Sequence, residues 1–182
     1  MIILFSEGPK EQHLGAEHPS TAASLNNLAE IYQAQGKYEQ AEPLFQRAIS
    51  IWEQLGTEHS DMANILNDLA NFYRELGKYE QAEPLYQRAL VIYELQLGNE
   101  HPNIARPLHG LAELYQQQGK YEQAEVFYQR ALHIREQRLG PTHPNTQETR
   151  LAYTAFLRLL ERDPSAPVAN VDDKPSVEES AS

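Results

Sequence analysis

Four histidines recur in register along the chain: His18, His59, His101 and His143. Each stands three residues beyond a Leu-Gly pair, and three of them follow a glutamate. Histidine and carboxylate are the side chains of zinc sites and of acid–base catalysis. A metal ion needs its ligands within ~2–2.6 Å, so the question is whether these residues can converge. A second repeated element sits beside them. The heptapeptide Gly-Lys-Tyr-Glu-Gln-Ala-Glu occurs unchanged at 36–42, 77–83 and 119–125. If it carried chemistry, the chain would hold three equivalent centres.

The surroundings of the heptapeptide decide against that. In the first copy Leu25, Leu28, Ala29 and Tyr32 fall at i, i+3, i+4 and i+7, and Ala41, Phe45, Ala48 and Trp52 repeat the stripe. This is the periodicity of two amphipathic helices. Gly36 lies between them and suits a left-handed turn that ends the first helix. Tyr38 opens the second. Pro19, Pro102 and Pro144 fit the first position of the following helices, and Ser60 takes that place in the second unit, where it can cap. Pro43 and Pro84 lie inside second helices, close enough to the start to be tolerated. Each unit is therefore a helical hairpin.

Stacked hairpins place equivalent residues on the order of two helix widths, ~20 Å, apart. The four histidines cannot share an ion, and each is expected to bond near the start of the next helix. His13, His109 and His133 are isolated. No GxSxG, HExxH, P-loop or Rossmann glycine pattern is present in the sequence. The carboxylates read as solvated helix faces, so neither catalysis nor a metal or other cofactor is expected.

Composition narrows the partner. The 182 residues carry a formal net charge of −11, which disfavours nucleic acid or an anionic membrane and suits basic peptides as well as simple solubility. Cysteine is absent, consistent with a reducing, cytoplasmic setting. No apolar run approaches the ~18–20 residues of a membrane span, and the opening Met-Ile-Ile-Leu-Phe lacks the parts of a signal peptide.

The recurring small residues (Ala29, Ala41 and Ala48, with Ala70, Ala82, Ala89 and Ala112, Ala124, Ala131), together with Leu28, Tyr32, Gly36, Phe45 and their equivalents, resemble the tetratricopeptide repeat (TPR). Glycine spacings of 41 and 42, with the Leu-Gly…Glu-His connections and Leu-Asn-Asn-Leu-Ala, resemble the kinesin-light-chain type of that repeat. The resemblance implies an all-α solenoid, a right-handed superhelix of three hairpins and a C-terminal capping helix. It divides the chain into units at 14–56, 57–98 and 99–140, a capping helix at 141–162 and a disordered acidic tail from 163. Residues 1–13 are an irregular segment or the remnant of a further unit.

The resemblance also implies a concave groove lined by the first helices. Its positions map to Ala23, Asn26, Asn27, Glu30 and Gln33, then to Asn64, Asn67, Asp68, Asn71 and Arg74, and then to Arg106, His109, Gly110, Glu113 and Gln116. These are the positions at which the copies differ. Asn26 and Asn67 can pair with a peptide backbone as donor and acceptor, Arg74 and Arg106 can hold acidic side chains, and Glu30, Asp68 and Glu113 basic ones. The two lysines of the clamp by which chaperone-binding members grip a terminal carboxylate are missing: the clamp positions read Asn26, Glu30, Asp68, Arg106 and Gly110. Binding of chaperone tails in that manner is not expected. The reading is a non-enzymatic scaffold for a protein or peptide. The alternatives are a homo-oligomer through the open N-terminal end and a sensor or adaptor fragment of a larger regulatory protein.

Overall fold

A computed structural model describes residues 18–56 and 58–162. The expectations for residues 1–17 and for the tail from Asp163 lie outside that range. The described residues form seven helices and no strand: α1 Pro19–Ala34, α2 Tyr38–Gln54, α3 Ser60–Glu75, α4 Tyr79–Leu97, α5 Ala105–Gln117, α6 Tyr121–Leu139 and α7 Pro144–Arg162. They pair as the hairpins α1–α2, α3–α4 and α5–α6, and α7 packs on α6. The fold is an all-α solenoid.

The heptapeptide builds the turn inside each hairpin. Gly36 has φ +72°, with Gly77 and Gly119 close to it, a conformation that costs glycine little. Lys37 N–H then bonds back to Tyr32 O at 2.9 Å, as Lys78 does to Tyr73 and Lys120 to Tyr115. This is the six-residue closure that satisfies the helix's last carbonyls. Lys37, Lys78 and Lys120 each lie over the ring of that same tyrosine, 5.3–5.7 Å from its centroid. The nine repeated alanines are all fully buried, because two helices approach closely only where no larger side chain keeps them apart. Phe45, Tyr86 and Tyr128 fill the core beside them.

The final glutamate of the heptapeptide joins one hairpin to the next. Tyr73 donates its hydroxyl to Glu42 at 2.7 Å, Tyr115 to Glu83 at 2.7 Å and Tyr153 to Glu125 at 3.1 Å. These three carboxylates are therefore structural partners rather than members of a merely solvated face.

The register histidines act as caps. The Nδ1 atoms of His18, His59, His101 and His143 each accept the backbone N–H two residues on, all at 3.2 Å. The cap of α3 is thus His59, and Ser60 is its first helical residue, which corrects the capping role expected of Ser60. Pro102 opens a single 3₁₀ turn, Pro102–Ile104, rather than the α-helix itself. α2 and α4 run through Pro43 and Pro84, which face solvent.

Candidate functional site

One side of α1, α3 and α5, with Arg135 of α6 and Glu148 of α7, encloses a polar cavity of about 640 Å³. Of the expected groove residues, Glu30, Gln33, Asn67, Asn71, Arg74, Arg106, His109 and Glu113 line it, as do Asp68 and Gly110. Asn26, Asn27 and Asn64, with Ala23, line a neighbouring hollow of about 320 Å³ whose wall includes Trp52. Gln116 lines neither. It accepts the Tyr128 hydroxyl at 2.8 Å.

Most of these side chains hold one another. Arg106 bridges Asn64 Oδ1 at 2.8 Å and Asp68 Oδ1 at 2.9 Å. Asn64 Oδ1 also accepts the Tyr93 hydroxyl at 2.5 Å. Arg74 lies 3.0 Å from Glu113 and donates to the Tyr86 hydroxyl, which donates in turn to Asn71 at 2.6 Å. Gln33 donates to Glu75 at 2.7 Å. The guanidiniums of Arg74 and Arg106 thus have carboxylate partners within the fold, and so do the carboxylates of Asp68 and Glu113.

His109 is buried among charged neighbours. Its Nδ1 faces Arg135 Nη1 at 3.3 Å and Thr149 Oγ1 at 3.0 Å. Guanidinium only donates, so Nδ1 is the acceptor and the ring hydrogen sits on Nε2. Nε2 lies 3.4 Å from Glu113. Burial opposes the charge of Glu113, but the bond from His109 and the Arg74 guanidinium outweigh it and hold the carboxyl below its usual range. Arg135 also binds Asn145 O at 2.7 Å, Glu148 at 3.3 Å and the Thr149 hydroxyl, which ties α7 to α6. Burial pulls its guanidinium down from the usual value.

The Asn67 side chain is different. It is 2% exposed, and its Oδ1 is buried without a hydrogen-bond partner. One unit earlier the Oδ1 of the equivalent Asn26 is also buried without a partner, but Asn26 donates Nδ2 to Asp68 Oδ2 at 3.0 Å. The residue equivalent to Asp68 in the third unit is Gly110, which has no side chain to meet Asn67. Glycine is required there, because a Cβ on residue 110 would lie 2.3 Å from Tyr86 Cε1. The packing of Tyr86 thus leaves Asn67 Nδ2 without the carboxylate that Asn26 Nδ2 meets, while the Oδ1 of both asparagines is buried without a partner.

Arg135, Glu75 and Glu148 line the cavity and were not among the expected residues. Arg135 has a sequence signal: it occupies the position of Trp52 and Tyr93, an arginine where the repeat calls for an aromatic. Glu148 belongs to the capping helix and Glu75 to a helix end, and neither departs from the repeat in a way that marks it. Among the described residues no three His, Cys, Asp or Glu side chains come together as a metal site, and no helix is long and apolar enough to cross a membrane.

The fold and the groove define a helical-repeat solenoid with a polar concave face. The sequence profile of the tetratricopeptide repeat matches residues 11–59, 61–137 and 108–166, and the chain belongs to that family. Its repeats are of the kinesin-light-chain type. Among solved structures it is similar to BtubC (BKLC) from P. vanneervenii, at 27% identity and a TM-score of 0.73; the match covers 82% of this chain and spans 61% of the length of that one. It is also similar to a putative kinesin light chain with nearly identical TPR-like repeats from Podosopora anserina, at 26% identity and TM-score 0.68, covering 80% and 74% of the two chains. The N-terminal domain of stress-induced protein-1 from C. elegans, 16% identical with TM-score 0.57 over 76% of this chain and 96% of that one, shares the fold. No curated protein sequence matches the chain. Tetratricopeptide repeats mediate protein–protein interaction and are typically non-enzymatic scaffolds.

Proposed function

We propose that the chain is a non-enzymatic scaffold whose cavity across α1, α3 and α5 binds an extended segment of a protein partner. The observation that carries this reading is Asn67. A buried acceptor without a partner costs about 1–3 kcal/mol, and such groups are uncommon in folded proteins. Rotation about χ2, a broad sp³–sp² torsion, turns the Asn67 amide within the cavity wall. There it accepts a peptide N–H or donates to a peptide carbonyl. Asn71, Arg74, Arg106, His109 and Glu113 are already bonded, so they hold the cavity open and shape it. Hydrogen exchange with a bound peptide tests the assignment. Protection concentrated on α1, α3 and α5 is expected. Protection confined to α2, α4 and α6 would contradict it.

A second reading rests on the outer face of α1. Leu28 and Ile31 are 39% and 53% exposed, whereas Leu69 and Phe72, at the same positions one unit on, are 3% and 1% exposed beneath the preceding hairpin. Among the described residues this face of α1 is uncovered, and a second copy of this chain offers an apolar surface to cover it. Light scattering on the full chain and on Ile31→Lys separates the cases. A dimer mass that falls to monomer in the variant supports self-association, and a concentration-independent monomer of the unaltered chain ends it.

A further inference from the structure

Every guanidinium on the cavity wall has a carboxylate of its own. Arg106 lies 2.9 Å from Asp68, Arg74 3.0 Å from Glu113 and Arg135 3.3 Å from Glu148. Two lining carboxylates are left over, Glu30 on α1 and Glu75 at the end of α3. Both are exposed and both lie toward the α1 side of the groove. Glu75 accepts the neutral Gln33 amide and makes no ion pair with a guanidinium among the described residues, although Arg74 is near enough to feel its charge. Glu30 has another carboxyl beside it: burial and then Asp68 push its pKa up, and Arg106 offsets them only in part.

The neutral groups nearby add to the same imbalance. Asn26 and Asn67 are 8% and 2% exposed, and the Oδ1 of each is buried without a partner. This end of the groove therefore has too many acceptors, too few donors and unmatched negative charge. A neutral or acidic guest would leave that imbalance in place. An ammonium with three N–H donors, or a guanidinium with five, corrects both the charge and the hydrogen bonding. No metal-binding cluster exists among the described residues, so the cation that fits is organic.

We propose that the α1–α3 end of the groove is a subsite for a basic side chain, lysine or arginine, of an extended peptide. Glu30 is its principal charge partner, Glu75 supports it, and the Asn67 carbonyl supplies a further acceptor. The subsite rests on the groove reading above and adds the chemical class of the guest. The net charge of −11 favours encounter with such peptides before contact is made.

The test is selection of a random heptapeptide display library on the full chain, on Glu30→Gln and on Glu30→Lys. Glu30 is exposed on a helix, so both variants retain the fold, which circular dichroism verifies. Peptides selected on the unaltered chain are expected to carry Lys or Arg at one fixed position. They should bind Glu30→Gln about tenfold more weakly, the size of a charge-assisted hydrogen bond. Glu30→Lys should select Asp or Glu at that position instead. Enriched peptides without a basic position, or the same basic preference on all three proteins, would overturn the subsite and leave the groove standing. Failure of any peptide to enrich on the unaltered chain would overturn both.

Discussion

The Tyr73 hydroxyl lies 2.7 Å from Glu42 Oε1, across the boundary between the first and second hairpins. The same bond recurs at the next boundary, Tyr115 to Glu83, and again where α7 meets the third hairpin, Tyr153 to Glu125. The heptapeptide is therefore invariant for two reasons. Its glycine ends one helix inside a hairpin, and its last glutamate fastens that hairpin to the following one.

Tyr115→Phe removes the donor and keeps the ring. Loss of one such bond is expected to lower stability by about 1 kcal/mol, a few degrees in melting temperature. Thermal unfolding followed at 222 nm measures it. An unchanged midpoint would show that the bond between hairpins contributes nothing.

High pH should unfold the chain by a route visible in its tyrosines. Burial first, and then the bonded Glu83, push Tyr115 up to about 12. Burial also raises Tyr93 to about 12, against the pull of Arg106. Unfolded tyrosine titrates near 10, so between about pH 10 and 12 the folded chain holds protons that the unfolded chain has released. Stability is then full below pH 10 and falls as pH rises toward 12. Absorbance of tyrosinate alongside circular dichroism follows both processes. Gain of the last tyrosinate signal well before loss of helix would contradict the prediction.

Gly110→Ala tests the close approach of residue 110 to Tyr86. The new methyl would meet the Tyr86 ring at 2.3–2.5 Å, and that ring is fully buried and bonded to Asn71 and Arg74. Overpacking of this kind costs about 1–3 kcal/mol. Adding Tyr86→Leu should recover part of the loss, so that the two changes are not additive. Additive effects would show that Gly110 is needed for another reason.

The hairpins, the glycine turns and the buried alanines were legible because each depends on spacing within one unit. The capping histidines were legible because their offset from the next helix is fixed. Contacts between units were harder to read. Asn26 meets Asp68, and Arg106 meets Asn64, only once the helical register between hairpins is set. Most of the expected groove residues line one cavity, the others line the neighbouring hollow and Gln116 lines neither; their mutual bonding was hidden for this reason. Arg135 was visible only as a departure from Trp52 and Tyr93, and its role depends on a helix packed against it from outside the three units.

The central claim is that Asn67 is unpartnered because it serves a ligand. Asn67→Ala separates function from structure by sign. Removing a buried acceptor without a partner should leave the melting temperature unchanged or raise it, while a peptide selected on the unaltered chain should bind roughly 3- to 10-fold more weakly. Titration calorimetry paired with thermal melts gives both numbers on the same two proteins. Weaker binding with stability retained is the predicted result. Unchanged binding, or a loss of stability with binding intact, would contradict the account.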